Sequence, residues 1–385
     1  MKILFLTYHG FDPASGISKK MLAQIKGLRQ NGHEVHVCYY DSDVRGHMCR
    51  FVDDDIINDY GKGTWAAIIQ RIDYRCIYDF CIHHSIELIY ARSYMNATPS
   101  LVGLFRKLRK AGIRSVMEIP TYPYDLEFKG YDWNQRMRLC IDQLYRRKLS
   151  AEMEAIVTFS DEKKIFGQQT IRISNGVDFD AIPLRLTDVA ISHEVHIIAV
   201  AEVHSWHGFD RFIHGLGKYY RKYQGHPNRL VFFHVVGDVW PAEMNGSSVA
   251  PGFAPYIKEY GIERFVVFHG NLFGHELDRV FDQCVFAVGS LARHRSGITI
   301  IKTLKNREYA SRGIPFIYSE QDSDFDDKPY VLKAPADESP IDVERILNFI
   351  DNLKLLPEQI RQTVEHLSWK HQMQIVIENL LDKNE

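Results

Sequence analysis

Charged and aromatic residues gather at the ends of apolar runs in the second half of the chain, and their types suggest one chemistry. The stretch AVAEVHSWHGFDRFIHGL (199–216) reads as a strand, a loop rich in His and Trp, and a helix opening near Gly208, with His207 and Arg211 close to its start. SLARHRSG (290–297) places Arg293, His294 and Arg295 just past another strand. Lys305 and Glu308 follow on a helix that stops at Gly313 and Pro315, ahead of the apolar run Phe316-Ile317-Tyr318. Cations from successive strand–helix junctions of one domain can converge on one crevice, and a diphosphate carries the complementary charge. One carboxylate among them, Glu308, suits the paired hydroxyls of a ribose. Surface charges on unrelated loops are the alternative, and spacing alone leaves it open.

Other motifs exclude more than they propose. The first apolar run leads into TYHGFDPASGIS, where small residues around Gly16 precede a helix and leave backbone N–H groups free for an anion. G-x-G-x-x-G and G-x-x-x-x-G-K-[ST] are absent, which argues against a nicotinamide dehydrogenase or a P-loop enzyme. G-x-S-x-G is absent too. Asp41-Ser42-Asp43 and Asp322-Ser323-Asp324 have the Asp-x-Asp spacing that can hold a divalent ion against a diphosphate, and Asp53-Asp54-Asp55 is a further acidic cluster. Short acidic loops after strands are common, zinc spacings are missing, and neither metal nor other cofactor is expected.

The elements that must position these residues alternate. Strands are expected at Lys2–Thr7, Val35–Tyr40, Leu88–Ala91, Ser115–Ile119 and Ala155–Phe159, with helices between them at Ile17–Gln30 and Trp133–Leu149. The pattern restarts with strands at His196–Ala201, Leu230–Val236, Phe265–Phe268, Val285–Val288 and Pro315–Tyr318. Near-continuous apolar strands separated by helices predict doubly wound α/β sheets. A chain of 385 residues exceeds one compact core, and two such domains would face each other across a cleft. With 47 basic and 49 acidic residues, the net charge of −2 gives no footprint for nucleic acid. Basic runs at 106–110 and 146–148 would suit peripheral contact with an anionic membrane. No apolar stretch is long enough to span a bilayer or to act as a signal peptide. Six scattered cysteines, without a C-x-x-C, fit a reduced cytoplasmic setting, extending to the inner face of the plasma membrane.

Several of these stretches together resemble the retaining glycosyltransferases of family 4, which have the two-domain GT-B fold. MKILFLTYHG…SGISKKMLAQIKGLRQNGHEVHV resembles the family's first strand, glycine loop, helix and second strand. ISNGVD (173–178) is similar to its interdomain Asn-Gly-Val-Asp, FHGNLFGHELDRVFDQCVFAVGSL to the segment before its donor site, and EYASRGIPFI to its Glu-x-x-x-x-Gly-x-Pro. The WHGxDR and LKxxEYxxxGIPF patterns point toward a bacterial surface-polysaccharide subgroup. The resemblance implies an acceptor domain at 1–178, a donor domain at 179–365, and a helix at 366–385 packing back on the first domain.

It further implies transfer of a sugar, with retention, from a UDP- or GDP-sugar to a glycan or polyprenyl-linked acceptor. Donor binding would fall to Gly16, His207, Arg211, Arg293, Arg295, Lys305 and Glu308. Catalytic roles would fall to Glu118, Lys305 and Glu308, and His9, Tyr122, Tyr124 and Glu127 would meet the acceptor. Two departures stand out. The first glutamate of the family's Glu-x7-Glu is Ile300 here, and the Arg and Lys of its Gly-Arg-x-x-x-x-Lys-Gly are Glu202 and His207. A weakly catalytic nucleotide-sugar-binding partner, a nucleotide-sugar epimerase and a metal-dependent transferase therefore remain as alternatives.

Overall fold

The computed structural model describes every residue except 13–14, 94, 126–132, 187–192, 248–249 and 383–385, together with the side chain of 134. It divides into two compact units, Met1–Ser174 with Trp369–Glu385, and Asn175–Ser368.

The sheet of the first unit has nine described strands: β1 (Lys2–Leu6), β2 (Glu34–Ser42), β3 (Met48–Val52), β4 (Asp55–Asp59), β5 (Leu88–Arg92), β6 (Arg114–Ile119), β7 (Ala155–Thr158), β8 (Lys164–Ile165) and β9 (Gln168–Arg172). Their order is β4-β3-β2-β1-β5-β6-β7-β9-β8. The six from β2 to β9 through the centre are parallel, while β3, β4 and β8 are antiparallel. β1 shows why the strands read as unbroken apolar runs. Ile3 and Phe5 pack to one side with Met21, Leu28, Trp369 and Met373, and Leu4 and Leu6 to the other with Leu101, Leu104 and Leu108. Successive side chains of a strand point to opposite faces, so a sheet covered by helices on both sides needs apolar residues at every position. On the first side, helix Trp369–Leu381 lies so close to helix Gly16–Gln30 that a Cβ on Gly27 would stand 2.7 Å from the Trp369 carbonyl oxygen.

The antiparallel hairpin β3–β4 was not expected. Its signal is the acidic cluster at 53–55, in which Asp53 and Asp54 form the turn and Asp55 opens β4. Asp53 adopts φ 53°, and its carboxylate accepts from the Val37 N–H at 2.9 Å. Asp and Asn tolerate this left-handed conformation because a short side chain bonds locally.

The second unit has six described strands: β10 (Glu194–Val200), β11 (Leu230–Val236), β12 (Val266–Gly270), β13 (Phe286–Val288), β14 (Phe316–Tyr318) and β15 (Val331–Lys333), all parallel in the order β12-β11-β10-β13-β14-β15. Ile197 and Ala199 join Phe212 and Leu216 on one face, and Ile198 joins Phe281 and Tyr309 on the other. Only the three-residue edge strand β15 escapes the sequence reading of this sheet.

Three histidines cross β10, β11 and β12 as a hydrogen-bonded row. His196 Nδ1 lies 2.8 Å from His234 Nε2, and His234 Nδ1 lies 2.9 Å from His269 Nε2. Burial, then the neighbouring imidazoles, push His234 down to about 4. The folded chain thus holds this ring neutral where the unfolded chain, with an ordinary value of about 6.5, binds a proton. The contribution of this ring is complete above about pH 6.5 and is lost as pH falls toward 4, at a cost of about 3 kcal/mol. Urea unfolding from pH 7 to 4 should show the loss, and His234→Leu should flatten the slope; equal slopes would refute it.

Candidate functional site

In the second unit, the loops after β10, β13 and β14 converge. The turn Ser205–His207 is bonded to the loop after β13 by the Leu291 N–H on the His207 carbonyl (2.8 Å) and the Ala292 N–H on that of Trp206 (3.3 Å). Gly208 completes the turn at φ 64°, and a Cβ there would meet the Ala292 Cβ at 2.7 Å. Glycine is required on both counts: the backbone is left-handed and the next loop occupies the space.

Around this junction lie His207, Arg293, Lys305 and Glu320. Lys305 is on helix Leu304–Ser311; its Nζ is buried, has no hydrogen-bond partner among the described residues, and stands 5.7 Å from the Phe209 ring centre. Burial lowers its pKa, Arg293 lowers it further, and Glu320 opposes them. Glu320 follows β14 and is equally buried, with neither carboxylate oxygen bonded to another of the described residues. Burial raises its pKa, against Arg293 and Lys305. Burial and the nearby charges of Lys305 and Arg293 hold His207 neutral. Its Nδ1 accepts from the His204 N–H at 3.0 Å, so any N–H it presents is on Nε2. A buried lysine and a buried glutamate that sense each other without bonding are uncommon, because unpaired buried charges are costly. This arrangement is suited to a ligand that supplies the missing partners.

Other predicted cations are already engaged. Arg211 is buried and donates to the carbonyls of Ser339, Leu291 and Pro335 and to Asp337 Oδ1, bracing the loop after β15. Arg295 forms a two-pronged pair with Asp210 (2.9 and 2.8 Å) and also holds Glu338 and the Ser205 carbonyl. Both fix the loops that carry the cluster. Glu308 faces Arg312 (Oε1 to Nε, 3.0 Å), which in turn meets Asp278; its side chain stays 26% exposed. Glu320, which the sequence reading missed, is the acid that senses Lys305. The available signal was an acid at the end of FIYSE, just past a buried strand. Asp322 and Asp324 are not a vacant metal site: Arg307 donates to both, with bonds of 2.6 and 3.0 Å to Asp322, and Lys302 lies 3.6 Å from Asp324. Among the described residues, Asp43, Cys49 and Asp59 form the one cluster of metal-capable atoms, and Arg45 and His47 engage its two carboxylates.

The first unit holds a cavity of about 580 Å³ at the carboxyl ends of β1, β5 and β6. Tyr8, Tyr40, Tyr74 and Tyr124 supply aromatic walls, His9 lies beside them, and Arg71, Arg92 and Arg138 supply charge; among the described residues no Asp or Glu lines it. Gly16 opens helix Gly16–Gln30 behind the N-cap Ser15, with open space around its Cα. Tyr122 packs edge-on against Phe166 and is not a wall residue. Glu127 lies outside the described residues. Glu118 on β6 is wholly buried and does not reach the cavity. It accepts from Tyr90 Oη (2.6 Å), Gln24 Nε2 (2.5 Å) and Arg92 (2.8 Å), with Lys20 Nζ at 3.4 Å. Burial would raise its pKa, but Lys20 and Arg92 prevail and hold it low. Glu118 thus fixes Arg92, and Arg92 faces the cavity.

No family model and no curated protein matches the chain. Solved structures do, over nearly its whole length. It is similar to sucrose-phosphate synthase from Thermosynechococcus elongatus (TM-score 0.62, 14% identity, 99% of each chain). It is also similar to a trehalose-6-phosphate protein of E. coli bound with UDP-2-fluoro glucose (0.58, 10%, 99% of each). A third is the UDP-GlcNAc 2-epimerase of Neisseria meningitidis bound to UDP-GlcNAc (0.53, 12%, 99% of this chain and 100% of that one). At such identities the likeness establishes the fold: two Rossmann-like units, the GT-B architecture.

Proposed function

We propose that the chain is a glycosyltransferase that binds a nucleotide-diphosphate sugar on its second unit and passes the sugar to a glycan or lipid-linked glycan acceptor held by the first. The observation that carries this reading is, near Arg293, the pair Lys305 and Glu320, whose buried Nζ and carboxylate oxygens have no hydrogen-bond partner among the described residues, in a fold shared with proteins bound to UDP-sugars. Lys305 and Arg293 neutralise the diphosphate as it leaves. Electrostatic groups placed in advance, in a dry site, stabilise developing charge far better than water can. His207 donates from Nε2 to a neutral oxygen, and Glu308 and Glu320 accept from hydroxyls of the ribose or the sugar.

Retention follows if the acceptor hydroxyl attacks on the face of the leaving group. The bond from the anomeric carbon to the phosphate oxygen breaks, that to the acceptor oxygen forms, and the acceptor proton passes to a phosphate oxygen. Side-chain cations do here what a divalent ion does elsewhere, since Arg307 already engages Asp322 and Asp324. The acceptor occupies the tyrosine-walled cavity, and the product is a surface polysaccharide or its precursor.

A ligand that binds only the folded state raises the melting temperature by mass action. UDP or GDP, and their sugars, should therefore raise it with EDTA present. No shift with any nucleoside diphosphate would reject the donor site, and a shift that EDTA abolishes would reject metal-free binding. An epimerase is the second reading, favoured by the likeness to a structure bound to UDP-GlcNAc. Isomerised sugar after incubation with donor alone would establish it.

A further inference from the structure

Two helices bordering the cavity of the first unit carry apolar residues outward. Helix Gly63–Ile72 contributes Gln70 and Arg71 to the wall, and helix Trp133–Ser150 contributes Gln135, Arg138 and Ile141. In the first helix the buried residue is the small Ala66, whereas Trp65, Ile68, Ile69 and Ile72 are exposed, Trp65 by 76%. Their spacing of three, one and three residues puts them on one face. In the second helix Trp133, Met137, Ile141 and Leu144 form a single exposed stripe, with Leu144 at 70%. Its inward face holds Leu139, Tyr145 and Leu149 together with an acid: Asp142 accepts from Tyr124 Oη (2.6 Å) and the Ala97 N–H (3.0 Å). A helix facing water keeps its outer face polar, whereas both of these carry an apolar stripe there.

The exposed charges carried by the two helices have one sign, although Arg146 pairs with Asp125 on the preceding segment at 2.7 Å. Lys62, Arg71, Arg136, Arg138, Arg147 and Lys148 are exposed, and the one acid on the two helices is the buried Asp142. Apolar faces flanked by cations, with no exposed carboxylate among the described residues of either helix, match an anionic bilayer surface: side chains enter the acyl boundary while Lys and Arg meet the headgroups. Among the described residues no helix is long and apolar enough to cross a membrane, so these helices would lie in the interface.

We infer that the rim of this cavity docks on an anionic phospholipid membrane, with Trp65, Ile69, Trp133 and Leu144 as the inserting residues. The basic runs at 106–110 and 146–148 gain a location by this: Lys148 belongs to the docking helix, while Arg106 and Arg109 pair with Glu152. The benefit rests on reading the cavity as the acceptor site, since a lipid-borne acceptor would enter it directly from the bilayer.

Docking itself can be tested without turnover. The full chain is sedimented with vesicles of phosphatidylcholine alone, or containing about one-third phosphatidylserine. Binding to the anionic vesicles is expected. It should fall at least about tenfold in Trp65→Ser/Leu144→Ser and in about 0.5 M salt. Trp240→Ser, a substitution of an exposed tryptophan on the second unit, should leave it unchanged. Failure to bind, or equal losses in both variants, would overturn the inference. So would a concentration-dependent dimer, seen by sedimentation velocity, that the double variant dissolves, because the face would then cover a second copy. A shift in melting temperature with nucleoside diphosphate, measured in parallel, keeps the donor reading separate from the docking result.

Discussion

Lys305→Met is expected to lose at least about a hundredfold in sugar transfer while folding as stably as the parent. The two halves of that expectation have one cause. In the free protein the Lys305 ammonium has left water without acquiring a hydrogen-bond partner, and burial, with Arg293 beside it, lowers its pKa. Such a group costs stability, and an apolar side chain of similar length commonly restores it. In the proposed transfer the same ammonium would meet the negative charge that collects on the leaving diphosphate, where a donor placed in advance is worth a factor of roughly a hundred to a thousand. Methionine keeps the volume and removes the charge. Glu320 then loses a neighbouring cation and remains protonated to higher pH, which limits the burden of an orphaned acid. Initial rates with a nucleotide-sugar donor and denaturant unfolding of both proteins supply the test. Normal transfer would dismiss Lys305, and a large loss of stability would make its role structural.

Glu118→Gln should be destabilising by about 3–5 kcal/mol, a large part of the 5–15 kcal/mol typical of a folded protein. The carboxylate has no exposed surface and lies between two cations that are also buried, Lys20 and Arg92, each under 10% exposed. Lys20 Nζ also sits 3.5 Å from the centre of the Phe159 ring. Glutamine preserves the shape and most of the hydrogen bonds but none of the charge, leaving two cations in a poorly solvating interior. Adding Lys20→Met to Glu118→Gln should recover part of the loss. Arg92 lines the cavity proposed for the acceptor, so on that reading the single variant should also raise KM for acceptor more than KM for donor. Urea unfolding of the two variants and the parent decides it, and a change within about 0.5 kcal/mol for Glu118→Gln would exclude the network as a source of stability.

The alternating architecture was legible because it depends on local rules. Parallel strands covered on both faces must be apolar throughout, and β11 accordingly spans Leu230–Val236 as expected. Helix Gly16–Gln30 begins where small residues and Ser15 predict an N-terminus. The hairpin β3–β4 was hidden because its strands are polar on the exposed side and its turn is built from aspartates instead of the usual Asn-Gly.

The chemistry was less legible, and Arg211, Arg295 and Lys305 show why. All three are cations near strand ends, and nothing local distinguishes them. Arg211 and Arg295 meet carbonyls and carboxylates up to 128 residues away, whereas Lys305 meets none among the described residues. Glu308 and Glu320 differ in the same manner: one has Arg312 a helical turn away, the other is enclosed beside Lys305.

Apolar periodicity and turn residues, which act over a few positions, were enough to determine two α/β units of mainly parallel strands and the loops at their strand ends. Which charges are spent on bracing and which are left for a ligand was decided only by the tertiary structure. A side chain's partner and its access to water depend on contacts between segments far apart in sequence, and those two quantities set whether a buried charge is satisfied or available.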